Sequence, residues 1–149
     1  MTRDTAREIA VQIVFGVSRS DENPEEFLDR FFSEEHFSTL AEENEIFAEL
    51  PEGSFQEYIR FVVCSVFANL EEIDAFIQKY SRSWSVKRIS GTALAVLRVA
   101  IGEILYREDV SVATAINSAV EIDKKYDDAE TVAFVNGVLG GFVRGENLA

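Results

Sequence analysis

Apolar residues recur every three or four positions along most of this chain, and that period predicts helices rather than strands. Ala6, Ile9, Ala10, Ile13, Val14 and Val17 make one stripe, which places a first helix over about residues 4 to 17. Asn23, Pro24, Glu25 and Glu26 read as an N-cap, a proline at the first helical position and acids suited to the helix dipole. Phe27, Leu28, Phe31 and Phe32 give the short helix that follows an apolar face. Residues 33 to 52 are acidic and aperiodic and close on Pro51, so an irregular excursion is expected there. Ser54-Phe55-Gln56-Glu57 has the form of a capping box. From Tyr58 to Tyr80 the stripe persists, predicting one long helix ended by Ser81-Arg82-Ser83. After Trp84, Ser85 would cap a short turn, and Gly91-Thr92 leads into Ala93 to Tyr106, apolar on most faces and therefore central. Ser111 caps a helix to about Tyr126, Asp127-Asp128 breaks it, and a last helix carries Phe134, Val135, Val138, Leu139 and Phe142 before Gly140, Gly141 and Gly145 fray its end. The expected fold is all-α, a single compact bundle of six or seven helices.

Composition narrows this picture. The 149 residues, 47% hydrophobic, suit one domain spanning the whole sequence, with the acidic segment near 33–53 as its irregular part. No apolar run reaches the roughly eighteen residues of a membrane span, and the N-terminus lacks signal-peptide order, so a cytoplasmic protein is expected. Cys64 is alone, which excludes an internal disulfide and leaves a small core residue as its reading. His36 lacks the neighbours of a nucleophilic site and reads as a surface loop residue.

The net charge of −13 is unevenly spread. Residues 20 to 75 hold sixteen acids against Arg30 and Arg60, whereas residues 79 to 107 hold Lys79, Arg82, Lys87, Arg88, Arg98 and Arg107 against Glu103 alone. Adjacent acid pairs such as Glu25-Glu26 and Glu71-Glu72 diverge by about 100° on a helix and suit a solvated face better than acid–base catalysis. No phosphate-cradling glycine loop, nucleophile elbow or metal-ligand spacing occurs, so neither an enzyme nor a cofactor is predicted. RNA recognition needs cations for phosphates and aromatic faces for bases. Arg3 and Arg7, four apart on the first helix, fit that need, as do Lys124, Lys125 and Tyr126. Ordinary surface arginines, and a helix C-terminus stabilised by lysines with Tyr126 in the core, fit the same residues.

Leu97-Arg98 with Glu103-Ile104-Leu105, then Ile116-Asn117, then Phe134-Val135-Asn136-Gly137-Val138-Leu139 keep a spacing that resembles the NusB family. The similarity runs from Arg7-Glu8 to Leu139 and includes Tyr58, Asn69, Ile73-Asp74, Trp84 and Arg88-Ile89. That resemblance implies an all-helical factor that pairs with ribosomal protein S10, binds a boxA-type RNA and serves an RNA polymerase antitermination complex. It also implies an arginine-rich RNA-binding motif at the start of the first helix, where only Arg3 and Arg7 match and Asp4 opposes them. Ser118 stands where the family usually has glutamate, and Gly140 where an aspartate is common. Asn117 and Asn136 match and read as buried amides rather than RNA contacts, and Arg98 and Glu103 as polar anchors inside the bundle.

The alternative is a NusB-like interaction or dimerisation module with weakened RNA binding, using the phenylalanine cluster for a homodimer. NusB-like domains also precede rRNA cytosine methyltransferase domains, but the sequence shows no nucleotide-binding α/β pattern to support that enzyme.

Overall fold

The computed structural model describes residues 1–81 and 89–148. Among them run eight α-helices and one 3-10 turn, and no strand. They are α1 (Arg3–Ser18), α2 (Pro24–Phe31), α3 (Glu34–Phe37), the 3-10 turn Glu45–Phe47, α4 (Ser54–Ala68), α5 (Leu70–Tyr80), α6 (Gly91–Tyr106), α7 (Val112–Asp123) and α8 (Ala129–Gly145). The expected turn around Trp84 and Ser85 lies outside the described residues. No described helix is long and apolar enough to cross a membrane.

α6 is the axis of the bundle and packs on α1, α4, α5, α7 and α8. Its low polarity explains why: Val96, Leu97, Val99 and Ile101 point in different directions and all are buried. Ile9, Ile13 and Val14 of α1 and Leu139 and Phe142 of α8 belong to the same core. Each such side chain contributes about 1.5–3 kcal/mol relative to exposure.

The caps at Asn23, Ser90, Ser111 and Asp128 are made by side-chain oxygens, as the sequence predicts for Asn23 and Ser111. The helix count exceeds six or seven for two reasons. The stripe expected to form one helix to Tyr80 is broken at Asn69, whose amide Nδ2 donates to the Ser65 carbonyl at 2.8 Å and competes with the helical ladder. The acidic excursion also holds α3 and the 3-10 turn, anchored by buried Phe37, Ile46 and Phe47. His36 therefore sits on a helix, with its ring 5.7 Å from that of Phe31.

The expected capping box at Ser54 does not form. The N-cap is Gly53 at φ 56°, a conformation that favours glycine, and Glu57 instead meets Arg107. Nor does α8 fray at its glycines. It continues to Gly145; Tyr80 lies against Gly141 and Gly145, leaving no room for a Cβ at Gly145, and donates its hydroxyl to Glu146. Phe27, Phe31, Phe32 and Phe37 are buried, with Phe31 at the centre of stacked and edge-on rings. The cluster is core and is not an exposed self-association face. Cys64 is only half-buried.

Candidate nucleic-acid interface

Arg3 and Arg7 share α1 but occupy opposite environments. Arg3 remains partly exposed, with its guanidinium 4.3 Å from the centre of the Tyr58 ring and Nη2 donating to Asp109 at 3.4 Å. Arg7, expected on the exposed side, is 2% exposed and points into the bundle. The reason is Glu103 on α6, which is 0% exposed: a carboxylate so placed requires a cation. Arg7 supplies it through two bonds, Nε to Oε1 at 2.6 Å and Nη2 to Oε2 at 3.0 Å. Its remaining nitrogen, Nη1, donates to Asp4 at 2.8 Å and to Ser118 at 3.0 Å. Burial works against the Arg7 charge, but Glu103 outweighs it and holds the pKa above the ordinary value. The Tyr58 hydroxyl is buried beside this pair without a hydrogen-bond partner, and burial followed by the Glu103 charge raises its pKa.

At the far end of α7, Lys124 is 56% exposed and pairs with Glu121 at 2.8 Å. The next two residues turn to α1: Lys125 Nζ donates to Glu8 Oε1 at 2.7 Å, and the Tyr126 hydroxyl to Glu8 Oε2 at 2.5 Å. Glu8 itself is only 5% exposed. Asn44, from the acidic excursion, donates to the Tyr126 hydroxyl at 3.2 Å. The bond to Glu8 raises the pKa of Lys125, while burial and then Glu8 push Tyr126 up to about 12. Arg3 thus sits at the start of α1 against Tyr58 and Asp109, the lysine pair sits at the end of α7, and Arg7 ties α1 to α6 from inside.

Two residues escaped the sequence reading. Arg107 lies 5.4 Å from the Tyr58 ring centre on the α6 side, bonded to Asp109 at 2.7 Å and to Glu57 at 3.1 Å. The bond from Arg107 lowers the Asp109 pKa to about 2. Its place in the cationic stretch was a signal, but its partners are distant in sequence. Asn44 carried no signal, because only the fold brings it to Tyr126.

A sequence model described as the NusB family matches residues 4–144. The chain belongs to the NusB family. A transcription antitermination protein NusB from Alkaliphilus oremlandii is 35% identical over 148 residues, covering 99% of this chain and 97% of the relative. Its counterpart in Acetivibrio thermocellus is 37% identical over 144 residues, covering 97% and 90%. Among solved structures, T. maritima NusB superposes with a TM-score of 0.78 at 28% identity, covering 97% of this chain and 92% of that one. A chain in the crystal structure of antitermination factors NusB and NusE in complex with dsRNA superposes with a TM-score of 0.75 at 25% identity, covering 96% of both.

On this NusB fold, α7 separates two grooves. One, of about 530 Å³, lies between α1, the 3-10 turn and α7, and is lined by Asp4, Glu8, Glu45 and Glu121 with Lys125 as its cation. The other, of about 540 Å³, lies between α7 and α8 and is lined by Lys124, Asp127 and the small apolar residues Val120, Val132 and Ala133. Asn117 and Asn136 both line this second groove and are exposed, which corrects their reading as buried amides. Both project from helix faces that turn away from the α6 core. Arg98 and Glu103, in contrast, are buried, Arg98 gripping Asp74 through bonds of 2.9 and 2.8 Å.

At the last position of α7, Asp123 is 0% exposed with no donor to either carboxylate oxygen. Burial first, then the neighbouring Asp127, raises its pKa to about 8, which favours the protonated acid. Among the described residues, no group of three or more His, Cys, Asp or Glu side chains converges as a metal site.

Proposed function

We propose that this chain is a transcription antitermination factor that binds ribosomal protein S10 and a boxA-type RNA and joins an RNA polymerase antitermination complex supporting processive rRNA transcription. The observation that carries this reading is the likeness, over 96% of both chains, to a chain of the NusB–NusE–dsRNA complex, NusE being S10. Curated relatives of nearly the same length support it through their names.

Arg3 and Lys124 are the phosphate contacts in this proposal, because both reach solvent and their carboxylate partners are exposed. Pairs of that kind are worth about 0–1 kcal/mol and exchange readily for a phosphate. The N-terminus of α1 adds its dipole beside Arg3. Arg7 acts as a positioning residue that locks α1 to α6 beneath the face. The acid-rich region from residue 20 to 75 offers electrostatic attraction to a basic ribosomal protein. The work is recognition, carried out in the cytoplasm, without catalysis.

The carboxylates set against the cations favour a second reading, an S10-binding or homodimeric module with weakened RNA affinity. Titrating fluorescent boxA-type RNA with and without S10, against a scrambled RNA, separates the two. Selective binding strengthened by S10 is expected. S10 binding with no RNA affinity would select the second reading, and loss of both would remove the antitermination role.

A further inference from the structure

Lys125, Tyr126 and Asn44 come from two segments that are remote in sequence, yet their polar groups gather around one point beside α1, just past the end of α7. An ammonium and a phenolic hydroxyl both donate toward that point, and an amide orients the phenol. This donor set suits an oxyanion, whether carboxylate or phosphate. The position is already filled by Glu8, each of whose oxygens takes one donor. Glu8 is held at the floor while Lys125 is 57% exposed, so the cation borders solvent even though its charge is cancelled from below.

We propose that Glu8 is a specificity-determining residue: its carboxylate serves as a resident anion in the site formed by Lys125, Tyr126 and Asn44, and thereby limits the affinity of this face for RNA phosphate. The inference rests on the RNA-binding reading above and sharpens it, because it identifies which cation is withheld and by which group. Lys125 and Tyr126 keep their protons throughout the neutral range, their pKa values being raised by Glu8 and, for Tyr126, first by burial, so both donors stay occupied across that range. The adjoining groove reinforces the effect, since Asp4, Glu45 and Glu121 leave a phosphodiester little other attraction there. Arg3 and Lys124 lie outside this clamp and keep their own role.

The test is a double-mutant cycle of E8Q and K125M in the full chain, read by anisotropy of a fluorescent boxA-type RNA across a salt series. Glutamine still accepts from Tyr126 but lacks the charge that neutralises Lys125. E8Q is expected to bind about threefold more tightly at low salt, with a salt slope steeper by about 0.7, the value of one additional phosphate contact on single-stranded RNA. K125M alone should change affinity little, and E8Q/K125M should return to the wild-type level.

A gain in E8Q that persists in the double variant would mark a general charge effect and overturn the proposal. So would wild-type RNA binding with no gain in E8Q. Absence of RNA binding from both wild type and E8Q would overturn the underlying RNA reading as well. Thermal melts accompany each variant. If E8Q does not fold, K125M decides alone, since a severalfold loss of RNA affinity on removing Lys125 would show that its charge was never withheld.

Discussion

The α1–α6 interface and the α7–α8 junction each bury a carboxylate, and they treat it in opposite ways. At the first, Glu103 is met by the two-pronged grip of Arg7, so both charges persist out of water. At the second, Asp123 has no cation and faces Asp127, with Asp128 adding negative charge, which favours the neutral acid. Both carboxylates are buried, but one has a cation against it and the other faces a second carboxylate, so only at Asp123 does burial act without an opposing charge. The paired site joins α1 to the helix at the centre of the bundle. The unpaired one lies immediately before Lys124, Lys125 and Tyr126, so electrostatic strain falls beside the candidate RNA face rather than in the core.

Breaking the paired site should have the largest effect. Glu103→Gln leaves buried Arg7 with only the solvent-exposed Asp4 as counter-charge and is expected to cost about 3–5 kcal/mol in denaturant unfolding. A loss below about 1 kcal/mol would mean that water reaches Arg7. At the unpaired site the sign reverses. The folded-state pKa of Asp123, about 8, lies above the ordinary aspartate value near 3.9, so its contribution to stability is complete below that lower value and is lost as pH rises through about 8. Asp123→Asn removes this loss, so its stability relative to the wild type should be clearly higher at pH 8 than at pH 4 when both are unfolded in denaturant at the two pH values. A relative stability lower at pH 8 than at pH 4 would show that the carboxylate has a cationic partner. A smaller effect is expected from Asp127→Asn. With one negative neighbour gone, the Asp123 titration, followed by carbon NMR, should move to lower pH, and an unmoved titration would assign the whole shift to burial.

The hydrophobic period made the bundle legible, because each helix must bury its own stripe and α6, apolar on most faces, could only be central. Periodicity was blind at Asn69, where the stripe continues across a break made by a side-chain bond to Ser65. It also hid the acidic excursion, since three buried aromatic and aliphatic residues anchor that segment without setting a period. For the candidate site, residue type and spacing pointed to Arg3, Arg7, Lys124, Lys125 and Tyr126, but not to which of their charges were free. That depends on Glu103, Glu8 and Asp109, which reach these cations from distant parts of the chain. Asn117 and Asn136 were misplaced for a related reason: flanking apolar residues report the helix, while only its rotation against α6 reports which side an amide faces.

In the proposed function, solvent-facing cations rather than those locked in the interior meet RNA. The most direct test is the salt dependence of boxA-type RNA binding by the wild type, Arg3→Ala and Lys124→Ala. Each variant is predicted to bind more weakly at low salt and to lower the slope by about 0.7, one phosphate contact apiece. Slopes and affinities unchanged in both variants, with wild-type binding intact, would place the RNA elsewhere on the molecule and contradict the claim.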